Sequence, residues 1–96
     1  MASAYIISDV TFRDMEAVSA YRQLAAPSIA QYGGRYIVRG GEVTVLEGNW
    51  KPSIFIIAEF PNRAAAEAWY RSPEYANALT YRDAALTRNL ILVDGS

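Results

Sequence analysis

The segment 54–60 (Ile-Phe-Ile-Ile-Ala-Glu-Phe) limits the fold more than any other feature, because nearly every residue in it is apolar. Its β-branched and aromatic side chains predict a β-strand that is apolar on both faces. Two other strand candidates, residues 5–11 and 90–93, are also largely apolar on both faces. An antiparallel sheet with one face in water would carry polar residues on that face. The sheet of this chain must therefore be covered on both sides.

Residues 15–32 have the periodicity of an amphipathic helix, since apolar residues recur at three- and four-residue steps until Gly33-Gly34. Asp14 precedes this stretch and is a favourable N-cap. Pro27 lies inside it and cannot donate a hydrogen bond to the carbonyl of Gln23. The sequence therefore predicts a helix with a kink or a broken final turn near Pro27.

A second helical region begins after Asn62, another N-cap residue, and is interrupted near residue 72. Ser72, Pro73 and Glu74 provide a capping serine, a proline at the first helical position and an acidic first turn. A new helix is therefore expected to start there and to run to about Thr87.

Residues 35–39 and 42–46 have strand composition and are separated by Gly40-Gly41. Two glycines suit a two-residue hairpin turn because glycine readily adopts positive φ. In the resulting register Val38 faces the helices and Arg39 faces the opposite side of the sheet.

The order β-α-β-β-α-β, with a hairpin extension and a broken second helix, predicts an α+β fold of the ferredoxin-like type. Its sheet is antiparallel, both helical segments lie on one face, and residues 1–96 form a single domain. With 96 residues there is no further chain to cover the other face. We therefore expect a homodimer that packs sheet against sheet. The apolar face to be covered includes Tyr5, Ile7, Ile37, Phe55 and Ile57.

The composition excludes much familiar chemistry. The chain has no cysteine and no histidine, which removes disulfides, thiolate nucleophiles, imidazole bases and the usual zinc and haem ligands. No metal site or cofactor is expected. A net charge of −1 gives no basic footprint for nucleic acid or for a membrane surface. The lack of a signal peptide or of a long apolar span predicts a cytoplasmic protein.

Four charged residues are candidates for chemistry on the apolar sheet face. Antiparallel order places Asp9 near Arg39 at one end of the sheet and Glu59 near Arg35 at the other. Such pairs could orient a ligand, with Asp9 or Glu59 as a base whose pKa is raised by burial. The alternative, which buried ion pairs in general favour, is that these pairs are interface salt bridges that fix the register of a dimer.

Aromatic residues are candidates for the walls of a ligand site. Tyr32 and Tyr75 flank the Gly33-Gly34 bend and the helix break, which makes them candidate ligand contacts. Trp50 lies in a Gly-Asn-Trp-Lys-Pro loop and could close over a pocket or contact a partner subunit. The remaining tyrosines and Trp69 are expected to pack in the core or at its rim.

Several motifs together resemble one known family, the domain of unknown function 1330 family. The motifs are Tyr32-Gly33-Gly34-Arg35-Tyr36-Ile37-Val38-Arg39-Gly40-Gly41, Val45-Leu46-Glu47-Gly48-Asn49-Trp50, Glu59-Phe60-Pro61, Ala68-Trp69-Tyr70-Arg71-Ser72-Pro73-Glu74-Tyr75 and Asn89-Leu90-Ile91-Leu92-Val93. The resemblance covers nearly the whole chain. It implies the dimeric α+β barrel superfamily, in which two ferredoxin-like subunits join their sheets, and it implies no particular reaction.

The superfamily includes cofactor-independent monooxygenases, haem-degrading monooxygenases, lactone isomerases and haem peroxidases. The absence of histidine argues against the haem enzymes. Trp69 is similar to a tryptophan of the monooxygenases, whereas Ser8 and Asp9 stand where an asparagine would accompany it.

Two functions therefore stay open. The first is a homodimeric enzyme of small organic molecules, a monooxygenase or isomerase that needs no metal. In it, Asp9 or Glu59 would abstract a proton and Arg39 or Arg35 would stabilise the anion that forms. The second is a non-catalytic module that binds a small ligand or assembles, with structural charges in the barrel.

Overall fold

The computed structural model describes residues 2–96. Along the chain lie seven elements: β1 (Ala4–Phe12), α1 (Met15–Gln31), β2 (Arg35–Arg39), β3 (Ile54–Phe60), α2 (Arg63–Tyr70), α3 (Pro73–Ala85) and β4 (Leu86–Asp94). The four strands form one sheet in the order β2-β3-β1-β4, and every neighbouring pair is antiparallel. This arrangement confirms the predicted α+β, ferredoxin-like fold.

The helices form a single layer against one face of the sheet. Ile6, Ala58 and Phe60 of the strands pack in one cluster with Ala25 and Trp69 of the helices. The Cα envelope measures 36 × 35 × 16 Å, so the molecule is thin in the direction that crosses the two layers. The other face of the sheet has no helix on it within residues 2–96, and we call it the open face. The face under the helices is called the closed face.

The predicted helix starts are confirmed by their caps. Asp14 accepts a hydrogen bond from the backbone N–H of Glu16 at 2.9 Å, and Asn62 accepts one from Ala65 at 2.8 Å. Ser72 accepts one from Tyr75 at 3.0 Å. These bonds satisfy backbone donors that have no partner inside the helix.

Of the kink or broken final turn predicted near Pro27, the broken turn does not occur, because α1 continues to Gln31. Ser28 helps to hold this part of the helix against the core. Its hydroxyl donates to the carbonyl of Ala25 at 2.6 Å and accepts from the indole N–H of Trp69 at 3.0 Å. Tertiary packing therefore offsets the hydrogen bond that Pro27 removes.

The predicted hairpin is wrong in its second half. Residues 42–46 form no strand, and residues 41–53 are an irregular, mostly exposed loop. Gly40 has the expected positive φ of 76°, but its N–H donates to the carbonyl of Phe55 at 2.7 Å and so closes the ladder between β2 and β3. β2 is itself a half-exposed edge strand, so a further strand outside it would bury little apolar surface.

A bulge in β2 reverses the predicted orientation of its last residues. Tyr36 is paired with Ala58, but Val38 is paired with Ile57 and Arg39 with Ile56, so one extra residue is inserted between them. The insertion exchanges the two faces. Val38 therefore lies on the open face and Arg39 on the closed face, which is the opposite of the prediction.

β4 begins earlier than the sequence indicated. The helix before it ends at Ala85 instead of near Thr87, and the strand runs from Leu86 rather than from Leu90. This extension pairs Arg88 with Val10, a fully buried residue of the closed face. No helix formed by residues 2–96 is long and apolar enough to cross a lipid bilayer.

Candidate functional site

A cavity of about 370 Å³ lies between the closed face of the sheet and the helices. This volume is within the range of small-molecule sites, roughly 300–1,000 Å³. Most of its wall is apolar or aromatic, and its charged groups are all arginines. The lining consists of Ile6, Ser8, Val10, Phe12, Val18, Tyr21, Arg22, Ala26, Ile29, Tyr36, Arg39, Gly40, Ile54, Ile56, Ala58, Trp69, Leu86, Arg88 and Leu90.

Strand register explains why polar groups reach this otherwise apolar space. Ser8 is paired with Ile56, and Ile56 is paired in turn with Arg39, so these three side chains form one row across the closed face. The next row contains Val10 and Arg88. The β2 bulge and the early start of β4 thus each place one arginine in the cavity wall.

Two of the three arginines are stacked on aromatic rings. The guanidinium carbon of Arg39 lies 4.2 Å from the centre of the Tyr36 ring, and that of Arg22 lies 5.1 Å from the ring of Phe12. Stacking of this kind holds a guanidinium in place while leaving its N–H groups free to donate. Neither arginine forms an ion pair within residues 2–96.

The third arginine is held by two tyrosines. Arg88 Nη1 donates to Tyr21 Oη at 2.9 Å, and Arg88 Nη2 donates to Tyr75 Oη at 2.6 Å. The two tyrosine oxygens are themselves 2.6 Å apart and share a hydrogen bond. Burial is the main reason why the pKa of Tyr75 is raised far above its ordinary value, so this hydroxyl stays protonated.

Tyr36 lines the cavity together with all three arginines. Burial raises the pKa of its hydroxyl, with a further rise from Tyr21, while the positive charges of Arg39, Arg22 and Arg88 oppose that rise. The positive charges of all three guanidinium groups therefore act on the pKa of this one phenol group. The cavity therefore combines a positive electrostatic potential with an apolar wall.

Asp9 lies on the open face, away from the cavity lining. One of its carboxylate oxygens accepts from the indole N–H of Trp50 at 3.3 Å, and the other accepts from the backbone N–H of Ser53 at 2.9 Å. The Trp50 ring packs edge-on against Phe55, with 5.3 Å between ring centres. Asp9 and Trp50 therefore fasten the long loop to the sheet. Arg39, the predicted partner of Asp9, is on the other face.

Glu59 also lies on the open face, and its predicted ion pair with Arg35 is present. Arg35 donates to Glu59 Oε1 from Nη2 at 2.8 Å and from Nε at 3.0 Å, and Tyr5 donates to Oε2 at 3.2 Å. The hydrogen bonds from Arg35 are the main reason why the pKa of Glu59 is lowered. A carboxylate with these donors is stabilised in its ionised form.

Tyr32 and Tyr75, the predicted ligand contacts, have different surroundings. Tyr32 donates to Glu74 Oε1 at 2.9 Å and joins α1 to α3 outside the cavity lining. Tyr75 is fully buried and lies behind the cavity wall, where it is hydrogen-bonded to Tyr21 and Arg88 and packs against the ring of Trp69.

Of the candidate residues, Arg39 alone lines the cavity, and sequence reasoning did not single out Arg22 or Arg88. A signal for Arg88 existed in the even spacing from Arg88 through Leu90 to Leu92, which places all three on one face of an extended strand. No comparable signal distinguished Arg22 from other polar residues of the helix.

Solved structures share this fold. A protein of unknown function from Rhodopseudomonas palustris, RPA0582, is 26% identical, with a TM-score of 0.78 over 96% of this chain and 81% of that one. SnoaB, a cofactor-independent oxygenase from Streptomyces nogalater, is 16% identical, with a TM-score of 0.69 over 96% of this chain and 91% of that one. At such identity the second likeness concerns the fold alone.

The chain has no significant match among curated proteins. A family model, the domain of unknown function DUF1330, matches residues 3–96. That match spans nearly the whole chain and agrees with the resemblance found in the sequence motifs. The protein therefore belongs to the DUF1330 family.

Proposed function

We propose that the protein is a homodimer that binds a small organic acid in the cavity of each subunit. One observation carries the proposal: Arg22, Arg39 and Arg88 surround an apolar cavity whose lining, within residues 2–96, contains no carboxylate. Three positive charges around one cavity repel one another, although solvent weakens the repulsion at Arg22 and Arg39, which are exposed. A bound anion would relieve that repulsion, so the charges around the cavity favour an anionic ligand.

The chemistry of the wall defines the ligand class. Guanidinium groups bind carboxylates with two parallel hydrogen bonds, and Arg22 and Arg39 have their N–H groups free for this. The apolar side chains and Trp69 would bury a hydrocarbon or aromatic body. A monocarboxylic acid with a ring or a short branched chain satisfies both requirements.

The open face supports the dimer. Val38, Ile57, Ile7 and Ile91 form an apolar row across all four strands, and the exposed fraction of Ile91 is 57%. The adjoining loop adds exposed apolar side chains, among them Leu46 at 89%. An apolar patch of this extent marks an interface, and a second copy of the same face is its proposed occupant.

In such a dimer Asp9 and Glu59 lie at the interface, and we propose structural roles for both. Each carboxylate already has hydrogen-bond donors from its own chain, which supports burial without a substrate. Catalysis by either residue is the alternative, and it would require substrate to enter between the two sheets. Turnover that is lost in Asp9→Asn or Glu59→Gln while the dimer stays intact would favour that alternative.

A second candidate function is an oxygenase that needs no cofactor, and the fold shared with SnoaB favours it. The cavity holds groups that would stabilise an anionic substrate, namely the arginines and the hydroxyl of Tyr21. Such an activity would appear as oxygen consumption by the purified protein in the presence of a bound phenolic acid.

Titration calorimetry with 2-naphthoate and the uncharged 2-naphthamide tests the binding proposal. We expect naphthoate to bind and naphthamide to bind at least tenfold more weakly, since charged hydrogen bonds contribute roughly 1.5–3 kcal/mol. Arg71→Gln at the end of α2 removes a positive charge outside the cavity lining and should leave the affinity for naphthoate unchanged. Equal affinity for acid and amide would contradict the proposal.

The homodimer is tested by light scattering of the unmodified protein at micromolar concentration. We expect twice the subunit mass of 10.6 kDa. A mass of one subunit would contradict the dimer. It would leave the ligand site unaffected, because the cavity lies inside a single subunit.

A further inference from the structure

Tyr21, Tyr75 and Arg88 form a hydrogen-bond network in which one phenol proton has no acceptor. A guanidinium only donates, and each phenol has one proton and an oxygen that accepts. Arg88 donates to both tyrosine oxygens, and one phenol proton forms the bond between them. The proton of the other phenol group has no acceptor within the network.

Burial determines which tyrosine carries that unused proton. Tyr75 has an exposed fraction of 0%, and within residues 2–96 its hydroxyl bonds only to Tyr21 and Arg88. The oxygen of Tyr21 is thus the only acceptor for the proton of Tyr75. The reverse arrangement would leave a buried donor without a partner, which is unfavourable. Tyr75 therefore donates to Tyr21, and Tyr21 keeps its own proton.

Tyr21 can direct this proton into the cavity, because Tyr21 is half-buried and lines its wall. Its oxygen accepts from both Tyr75 and Arg88, and hydrogen bonds of this kind polarise one another. Accepting two hydrogen bonds makes the O–H of Tyr21 a stronger donor than an isolated phenol. The same bonds hold the phenol oxygen of Tyr21 in a fixed position.

We propose that Tyr21 is a specificity-determining hydrogen-bond donor, which selects acids with a second, neutral oxygen acceptor such as a ketone. The proposal rests on the proposed function, because the arginines are taken to hold the acidic group. It narrows the ligand class to oxo acids in which an apolar body separates the carboxylate from the carbonyl. Tyr75 and Arg88 are positioning residues that act through Tyr21.

The test compares two pairs of probes of matched shape: 3- and 4-acetylbenzoate against 3- and 4-isopropylbenzoate. The acetyl oxygen replaces a methyl group, so each pair differs in one acceptor. We expect the native protein to prefer an acetyl probe, and Tyr21→Phe to reduce that preference about tenfold. Tyr75→Phe should reduce it less, because Arg88 still donates to Tyr21. Tyr81→Phe, on the exposed side of α3, is the control.

A measurement on the native protein covers the case in which Tyr21→Phe does not fold. The infrared carbonyl band of bound acetylbenzoate should lie at lower frequency than in an apolar solvent, as for a hydrogen-bonded ketone. An unshifted band would overturn the inference.

The remaining outcomes separate the inference from the proposed function. If the acids bind and Tyr21→Phe leaves the preference unchanged, or Tyr36→Phe removes it instead, the inference is wrong and the proposed function stands. If none of the four acids binds, both are overturned.

Discussion

The two faces of the sheet differ in how their charges are satisfied. On the open face, Asp9 and Glu59 each receive hydrogen bonds from neighbouring groups of the same chain. In the cavity against the closed face, Arg22 of α1 and Arg39 of β2 are held by aromatic rings and have no carboxylate beside them in the lining. Charges that are already paired stabilise an architecture, whereas charges that are held in place but unpaired are available to a ligand.

This difference between the faces shows why the sequence drew attention to the open face. Carboxylates with nearby arginines are the usual sign of acid–base chemistry, and Asp9 and Glu59 have that appearance in the sequence. In the folded chain the enclosed space lies on the other side of the sheet. A candidate site therefore depends first on where a cavity exists and then on which charges reach it.

The largest effect should follow from placing a charge on the open face. Ile57→Glu introduces a carboxylate into the middle of the apolar row, where dimerisation would remove it from water without a partner. We expect the dimer to dissociate to monomer or to aggregate, as measured by light scattering. Glu47→Gln in the exposed loop is a control that should keep the native mass. A stable Ile57→Glu dimer would show that this face is not the interface.

The next effect concerns the packing of the closed face. Gly34 lies so close to the core that an added Cβ would be 2.6 Å from Phe60 Cε1 and 2.9 Å from Ile29 Cγ2. Gly34→Ala should therefore lower the free energy of unfolding by about 1–3 kcal/mol, as overpacking does. Denaturant titration measures this.

The matched control is Gly41→Ala, where an added Cβ meets nothing within 4 Å. It should change stability by no more than about 0.5 kcal/mol. Equal effects at the two glycines would contradict the tight packing described for the closed face.

A third prediction separates the arginines of the two faces. Arg39→Gln removes a cavity donor and should weaken binding of 2-naphthoate about tenfold or more. Arg35→Gln removes the same charge from the open face, where Arg35 is bonded to Glu59, and should leave the affinity within about twofold. Calorimetry on both variants tests this. The opposite ranking would place the ligand on the open face, near the residues that the sequence suggested.

The smallest effect concerns how the free energy of unfolding depends on pH in the acidic range. The hydrogen bonds from Arg35 lower the pKa of Glu59 in the folded state below its ordinary value of 4.5. The ionised form therefore stabilises the fold above about pH 4.5, and this contribution is lost as the pH falls through the lowered pKa. The pair is partly exposed to solvent, which keeps the contribution small.

Glu59→Gln should remove that part of the pH dependence. The difference in Tm between the native protein and this variant should shrink from neutral pH to about pH 3, at one fixed protein concentration because dimerisation shifts Tm. A difference that stays constant over this range would contradict the lowered pKa.

Much of the fold was predictable because its signals are local. The caps Asp14, Asn62 and Ser72 and the strand-forming composition of residues 54–60 each act within a few residues, and the structure confirms them. The extra strand at residues 42–46 was wrong because a strand also needs a partner and a surface to cover. Only the assembled sheet shows that neither is provided outside β2 within residues 2–96.

The sequence by itself determined the element order, the helix boundaries at their N-termini and the apolar character of both sheet faces, since these depend on composition and on spacing along the chain. The tertiary structure decided on which face of the sheet each charged residue lies. One inserted residue at the bulge in β2 moves Arg39 to the closed face, and the early start of β4 pairs Arg88 with Val10. Side chains alternate with a period of two, so a shift of one residue changes every face assignment that follows it.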